Sequence, residues 1–580
     1  MKTKNVTALL MASLLAASTL TACGKKTPPK GEVDNTKTQL YVNTYDGGTG
    51  DNWLNTLARK FEEEYKDHPF IDGKVGVQVH VDASRNNTSA GLAANMKNSD
   101  YSVSIAEEFY YSQCMAGDLL YDITDLLDDE LTDGSGTIAD KLYQEQKDYL
   151  TAYNGNYHAL PWLAVFNGFT YDAALFEENG LWFADTTGYK PRTDSSYTGT
   201  AYTGRGFVTP QNQKKSPGPD GKYGTLDDGL PSSYEEWFYL FDYMVKNKGI
   251  DPIIYTGASA YYMNYTWQSL LMAWAGKDEM ATHFTFDSNG KDVRVITGWN
   301  GNEPIVESVK ITKENGYLIK QQEALYYTLK FYKHLYGNTD YFYAGSASKS
   351  FTNLAAQTIF VESSLNPNYT PIAMIAEGNY WYNEASAALT DSENIYGARA
   401  KNRDFRLMPM PGQELGTVNE NQGKPTAISD AMNYTMVVNN NIKGNAEKEA
   451  VAKEFVKFCY RDDNLQTATS VGGIPIAVDY EMPENVYSSM PKYKQSLWDL
   501  YDTAKDSGDF LAPVGGNLIY LSNPNQFGFS IQASFFHSII NGLEESKPQD
   551  AFATGKSIKD YLEGMKISQS DWTTKFNVSK

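Results

Sequence analysis

Glu107, Glu108, Glu362 and Glu377 are the residues with which this chain could do chemistry on a glycosidic bond. Two carboxyl groups about 5–10 Å apart across such a bond can hydrolyse it. No other catalytic pattern appears. The six histidines, His68, His80, His158, His283, His334 and His537, are scattered, and neither His-Glu-x-x-His nor Gly-x-Ser-x-Gly occurs. Cys114 lies beside Met115-Ala116 and Cys459 among apolar residues 455–460, so both read as buried thiols. A second kind of chemistry is suggested by Gly218-Pro219-Asp220-Gly221-Lys222-Tyr223-Gly224-Thr225-Leu226-Asp227-Asp228-Gly229. Hard cations take six to eight oxygens, and glycine turns let carbonyls join carboxylates. Asp220, Asp227 and Asp228, with the Lys222 carbonyl and Thr225, are candidate calcium ligands; the alternative is an acidic, solvated turn. The spacing is not that of an EF-hand.

The chain that must position these groups has 580 residues, with 50 basic and 71 acidic side chains and a formal net charge of −21. Nucleic acid is bound through clustered Lys and Arg, so this balance argues against it. A content of 41% hydrophobic and 13% aromatic residues supplies a large core. Three cysteines exclude a disulfide framework. The first four residues are a short basic stretch, and residues 6–22 are apolar but short for a membrane span. They end in Leu20-Thr21-Ala22-Cys23, which resembles the bacterial lipobox; in that pattern the chain is cut before Cys23 and its thiol is lipidated. Residues 23–38 then form a flexible tether. An acyl-anchored protein needs no transmembrane helix, and no second 18-residue apolar run follows, so a permease is not expected.

After the tether the pattern alternates. Residues 39–45 read as a buried strand and Gly47-Gly48-Thr49-Gly50 as a turn. Leu54, Leu57, Ala58, Phe61 and Tyr65 recur at helical spacing, and residues 75–81 alternate as a second strand. Strand, helix, strand makes a right-handed parallel unit. The glycines lack the spacing of a dinucleotide fingerprint. Residues 102–105 read as a third strand.

The motif order resembles the extracellular solute-binding proteins of ATP-driven importers, specifically the carbohydrate-binding, maltose-binding-protein-like family 1. Thr44-Tyr45-Asp46 before a helix ending at Tyr65 matches the family opening. Residues 117–125, from Gly117 to Asp125, resemble its "gly-leu-leu-x-asp-leu-thr" segment. Tyr157-His158-Ala159-Leu160-Pro161-Trp162, followed by Asn167 and Tyr171-Asp172, resembles its crossing strand, and Gly473-Ile474-Pro475 its glycine-proline turn. The resemblance covers residues 39–566. It implies an α/β, two-lobed periplasmic-binding-protein-like fold of type II, each lobe a mixed sheet flanked by helices. Hinge crossings join the lobes and ligand binds in the cleft between them.

The expected division is a signal peptide at 1–22, tether at 23–38, first lobe at 39–163 and 434–475, and second lobe at 164–433 and 476–580. Residues 434–438 return as a strand, and the helix at 446–460 turns Ala450, Ala452, Phe455 and Phe458 inward. Residues 185–232 are polar and glycine-rich without periodicity, an insertion relative to the family; a structureless loop of this length is uncommon. Ser233 and Glu236 form a capping box where the helix resumes.

Sugars offer apolar C–H faces to aromatic rings and hydroxyl rims to carboxylates and amides. Four segments resemble ligand-contacting segments of the family: Glu107, Glu108 and Phe109 after the third strand; Tyr262, Asn264, Tyr265 and Trp267; Glu377, Tyr380 and Trp381; and Asn525, Gln526 and Phe527. Trp162 on the hinge is a fifth candidate. The resemblance implies that Trp381 and Trp267 stack on sugar while Glu107 or Glu108 bonds its hydroxyls. The absence of Arg from these segments favours a neutral ligand. The lobe order belongs to a binder, so no catalysis is expected. The implied protein is a monomeric receptor on the outer face of the cell membrane, held there by lipid, that captures an oligosaccharide for an importer permease. The alternative is a binder of another ligand class, such as a peptide, or a receptor feeding a sensor.

Overall fold

The computed structural model describes residues 33–45, 47–83, 89–107, 111–151, 153–185, 190–192, 202–259, 261–410, 429–430, 434–507 and 548–576. Cys23 and residues 24–32 of the tether lie outside these residues.

Strand Thr38–Thr44 pairs in parallel with Val77–Ala83 on one side and Val103–Glu107 on the other. Tyr434–Val438 runs antiparallel to Val103–Glu107 and carries Leu160–Pro161 at its far edge. The helix Asn52–Glu64 covers this sheet with the expected stripe, Leu54, Leu57, Ala58 and Phe61, joined by Trp53. The second strand begins two residues later than its alternation suggests. Gly76 has φ +81°, and a Cβ there would lie 2.7 Å from the Lys66 carbonyl oxygen, so the turn extends through it. The helix Ala446–Cys459 buries Val451, Ala452, Phe455, Val456 and Phe458, while Ala450 faces solvent. Val451 takes the inward place assigned to its neighbour, because the stripe is centred one residue further along.

The second sheet is built on Val165–Asp172. Phe405–Met408 and Ile372–Gly378 flank it antiparallel, and Asp251–Ile254 pairs in parallel with Ile372–Gly378. Every residue of Ile372–Gly378 is buried, as a strand covered on both faces requires. Ser429–Asp430 pairs with the first residues of Val165–Asp172 before the chain returns to the first sheet at Tyr434. Helix Lys492–Ser507 packs against Phe405–Met408 of the second sheet. Its Tyr501 hydroxyl lies 3.1 Å from that of Tyr143 on the first-lobe side. Helices Pro548–Ala553 and Ile558–Met565 pack on Glu323–Tyr336. A hairpin of Asp292–Asn300 and Glu303–Lys310 shelters a small separate core with Phe286, Ile311, Ile319 and Trp572.

The described part of the insertion is held by one side chain that its sequence pattern does not advertise. Arg205 is 7% exposed and its partner Glu236 8%. The guanidinium donates from Nε to Glu236 Oε1 at 2.8 Å and from Nη2 to Oε2, to the Leu230 carbonyl at 2.8 Å and to Ser232 Oγ at 3.0 Å. Its Nη1 donates to Ser216 Oγ at 2.6 Å and to the Pro217 carbonyl. Ser233 caps helix Tyr234–Tyr243 as expected, accepting from the Glu236 N–H at 3.3 Å. The Glu236 carboxylate does not return to the Ser233 N–H; it accepts from the Ser232 N–H at 2.7 Å and from Arg205. Arg205 thus converts half of a capping box into a clamp on the insertion.

A buried pair is costly to break because the remaining charge loses its compensation. Arg205→Met should lower unfolding free energy by about 3–5 kcal/mol. Arg205→Met with Glu236→Gln should cost less than the single change. Urea denaturation checks both, and equal losses in the two variants would show that charge pairing is not the cause.

Candidate functional site

Parallel strands end on one edge, where open α/β sheets place their ligands. In the first sheet Thr44 pairs with Ile105, and the Tyr45 N–H donates to the Ile105 carbonyl at 3.3 Å. The turn at 47–50 and Glu107, last in its strand, therefore stand on the same edge. In the second sheet Ile372–Gly378 ends at Glu377-Gly378 and leads through Tyr380 into the short helix Trp381–Glu384.

Two groups of sequential backbone bonds join these edges. The Ala164 N–H donates to the Pro475 carbonyl at 2.8 Å, and the Ala477 N–H to the Trp162 carbonyl at 2.6 Å. Trp162 N–H donates to the Tyr434 carbonyl at 2.8 Å. The crossing segment is thereby paired with both neighbouring passes of the chain. Asn379 is tied to it, its Nδ2 donating to the Ala164 carbonyl at 2.9 Å.

Away from the hinge, the short helix reaches across to the first lobe. Asn383 Nδ2 donates to the Thr49 carbonyl at 3.2 Å and to the Gly472 carbonyl at 2.8 Å. Gly48 has φ +113°, and a Cβ at this position would fall 2.6 Å from Glu384 Cγ. Only glycine permits both the conformation and the approach. Trp53 Nε1 holds the same turn by donating to the Gly50 carbonyl at 3.0 Å.

Behind this contact lies a carboxyl pair, Glu377 buried and Glu384 half-buried. Gln357 Nε2 donates to Glu377 Oε1 at 3.0 Å and to Glu384 Oε2 at 2.8 Å. Glu377 is 1% exposed, and its Oε2 has no hydrogen-bond partner. Burial pushes the Glu377 carboxyl well above the ordinary range. The charge of Glu384 pushes it further, and the Gln357 amide and nearby Gly378 N–H offset part of this. Tyr262 adjoins the pair. Its hydroxyl accepts from Asn353 Nδ2 at 3.0 Å. Burial, with Glu377, Glu384 and Tyr45 nearby, holds its proton on more tightly than usual.

The aromatic candidates divide. Trp381 has no exposed surface. Phe360, Phe405, Tyr382 and Tyr493 surround it edge-on at centroid distances of 5.3–5.9 Å. The expected stacking face is therefore absent here, because Phe405–Met408 and Lys492–Ser507 close over the ring. Trp162 is likewise enclosed, between Trp53 at 5.3 Å and Tyr460 at 5.7 Å. Tyr380 is 8% exposed. Tyr45, Tyr262 and Tyr382 keep part of their surface open. Asn264, Tyr265 and Trp267 lie on the first turns of helix Tyr261–Thr285, near Tyr262 in sequence; their side chains lie outside the described structure. Glu108, Phe109, Asn525, Gln526 and Phe527 lie outside the described residues.

The acidic loop is ordered by its own bonds. Asp227 accepts from the Asp220 N–H at 2.9 Å and from the Thr225 hydroxyl at 2.8 Å. Asp220 accepts from the Lys222 N–H, and Asp228 from the Gly224 N–H, both at 2.8 Å. The Lys222 carbonyl accepts from Thr225 at 3.4 Å. Burial pushes the Asp227 carboxyl up to about 6. These bonds engage the same Asp220, Lys222, Thr225, Asp227 and Asp228 that the sequence offers as calcium ligands. No group of three or more metal-binding side chains gathers among the described residues.

Sequence reasoning overlooked Gln357, Asn383, Glu384 and Gly48. Gln357 did leave a signal, being a polar residue inside the apolar stripe Ala356, Phe360 and Val361 of helix Asn353–Ser363. Asn383 and Glu384 left none, because their partners lie in distant segments or are reached through Gln357.

No family model matches this chain, and no curated protein matches it. Solved structures do. A chitin oligosaccharide binding protein is 15% identical over 92% of this chain and 99% of its own, with a TM-score of 0.50. A cyclic alpha-maltosyl-1,6-maltose binding protein from Arthrobacter globiformis is 12% identical over 93% and 100%, with a TM-score of 0.51. A probable secreted solute-binding lipoprotein from Streptomyces coelicolor is 14% identical over 93% and 99%, also at 0.51. With two mixed sheets, a double-stranded hinge and nearly complete mutual coverage, the chain has the two-lobed α/β fold of the solute-binding proteins.

Proposed function

We propose that this protein is a lipid-anchored extracellular receptor that closes its lobes on an oligosaccharide and presents it to the permease of an ATP-driven importer. The observation that carries the reading is the meeting of the two sheet edges beyond the hinge, where Tyr45 neighbours Tyr262 and the 47–50 turn meets Asn383 and Glu384. Phenol rings suit the C–H faces of a sugar, and hydroxyl, amide and carboxylate groups suit its rim. Among the described residues, the largest charged and phenolic influences on Glu377 and Tyr262 come from Glu384, Glu377 and Tyr45, which favours a neutral ligand over an anionic one. The solved proteins of this fold named above bind chitin oligosaccharide and a cyclic maltosyl-maltose. The site is a binder's site: Glu377 is held in the core by Gln357 and has no open path to act as an acid on substrate. The anchor rests on Leu20-Thr21-Ala22-Cys23, and no described helix is long and apolar enough to cross a membrane.

A thermal-shift screen of neutral oligosaccharides beside a peptide panel tests the ligand class; stabilisation by peptides alone overturns it. Given a glycan that binds, Tyr262→Ala should weaken it about thirtyfold, the effect of losing an aromatic anchor worth about 2 kcal/mol. Calorimetry on the folded variant showing a change of less than about threefold removes Tyr262 from the site.

The anchor has its own test. Cys23→Ala should leave the precursor uncut or release the protein from the membrane fraction. Normal processing and membrane retention in that variant would exclude lipidation at Cys23.

A further inference from the structure

A cavity of about 590 Å³ opens in the second lobe where helix Glu323–Tyr336, the tip of the hairpin at Asn302 and Glu303, and the start of helix Ile558–Met565 come together. Small-molecule sites commonly have this size. One wall is a single face of the first helix: Tyr326, Lys330, Lys333 and His334 line it and recur at three- and four-residue spacing. Tyr332 is on the opposite face, and its hydroxyl donates to the Met263 carbonyl at 3.0 Å. The helix thus stands between this cavity and helix Tyr261–Thr285, which carries Tyr262, so the cavity is separate from the cleft.

Its charge runs against that of the chain. The formal net charge is −21, yet Lys330, Lys333 and Lys559 line this cavity with Glu303. Lys559 Nζ donates to the Gly301 carbonyl at 3.2 Å, which holds the ammonium beside the hairpin tip. An ammonium has three hydrogens, so one such bond does not exhaust it. Lys333 is exposed, and the Lys330 ammonium stands 6.0 Å from the centroid of the Tyr327 ring. Burial holds His334 down at about 4, so at neutral pH the positive charge is that of the lysines. Glu303 Oε2 accepts from the Tyr326 hydroxyl at 3.5 Å. The N-terminus of helix Ile558–Met565 adds little, because Ser557 already caps it. Ser557 Oγ accepts from the Asp560 N–H at 2.9 Å and donates to Asp560 Oδ2 at 2.7 Å.

Arginine pairs with a carboxylate as a planar fork, whereas lysine acts as a point charge. Several lysines around one space, with no arginine in the lining, match a compact, multiply charged anion such as phosphate. A bare phosphate ion would leave most of the volume unfilled. The lining also includes the amides of Asn302 and Asn338, which are groups that bond hydroxyls.

We propose that this cavity is a second binding site, distinct from the cleft, for a phosphorylated sugar or polyol, its phosphate held by Lys333 and Lys559 and its hydroxyls by Asn302 and Asn338. The site is additional to the proposed capture of a neutral oligosaccharide and does not depend on it.

Calorimetry on the full chain at low ionic strength tests this with four probes: glucose 6-phosphate, glucose, glucuronate and inorganic phosphate. Glucose 6-phosphate should bind, and more tightly than the other three. Lys333→Gln with Lys559→Gln should weaken it by at least about tenfold. Both side chains reach solvent, so the double variant should keep the parent's melting temperature without ligand. Tyr262→Ala should leave this binding unchanged, which separates it from the cleft. No binding of glucose 6-phosphate, or a double variant within about twofold of the parent, overturns the proposal. Equal binding of glucose or glucuronate removes the phosphate from the recognition, and equal binding of inorganic phosphate removes the sugar; either overturns the assignment. Failure of the parent to bind any neutral oligosaccharide would strike the reading of the cleft and leave this site standing.

Discussion

Everything in this molecule hangs on a short run of backbone pairing where the chain passes between its two sheets. Residues 162–164 cross, and 475–477 lie antiparallel beside them, with Leu163 opposite Ile476. A single extended strand would let the lobes swing freely in every direction. Two paired strands bend readily along one axis and resist twisting about the other, so the edges that meet at Gly48 and Asn383 meet in register. Trp162 makes the pivot firm. Packed between Trp53 and Tyr460, it anchors the crossing in the first-lobe core, and this structural duty explains why it shows no face to a ligand.

Charge is buried elsewhere in the chain, and the contrast with the hinge is instructive. Arg205 and Glu236 are matched one to one and every guanidinium hydrogen is used, so the pair is a static clamp on the insertion. Asp172 and Arg403, 2.6 Å apart and almost wholly buried, form an ion pair where Val165–Asp172 turns into helix Ala173–Asn179. Glu377 instead shares the Gln357 amide with Glu384, and its own Oε2 has no hydrogen-bond partner. A polar group left short of partners in the interior is costly.

Much of the fold is legible from periodicity. The first strand, the stripe of helix Asn52–Glu64 and the returning strand Tyr434–Val438 each carry a repeating apolar signal that packing merely uses. The errors have local causes. Gly76 shifted one strand start because a turn continued through an apolar residue, and the stripe of Ala446–Cys459 was read one residue early. The site was less legible. Trp381 sits beside a polar turn, which in sequence looks like an exposed platform; only the arrival of Phe405 and Tyr493 from distant segments shows that it is enclosed. Gln357, Glu384 and Asn383 act through partners in other segments, so spacing contains no trace of their pairing. Arg205 lay inside a stretch that seemed structureless because its order comes from one side chain and no repeat.

The place of Tyr434–Val438 in the first sheet has a consequence for how the chain must be made. This strand sits between Val103–Glu107 and Leu160–Pro161, yet it is synthesised only after about three-quarters of the polypeptide. Pairings so distant in sequence form slowly. Until they form, Val103–Glu107 has an unfilled edge, and the first sheet cannot be completed before about three-quarters of the chain has been made.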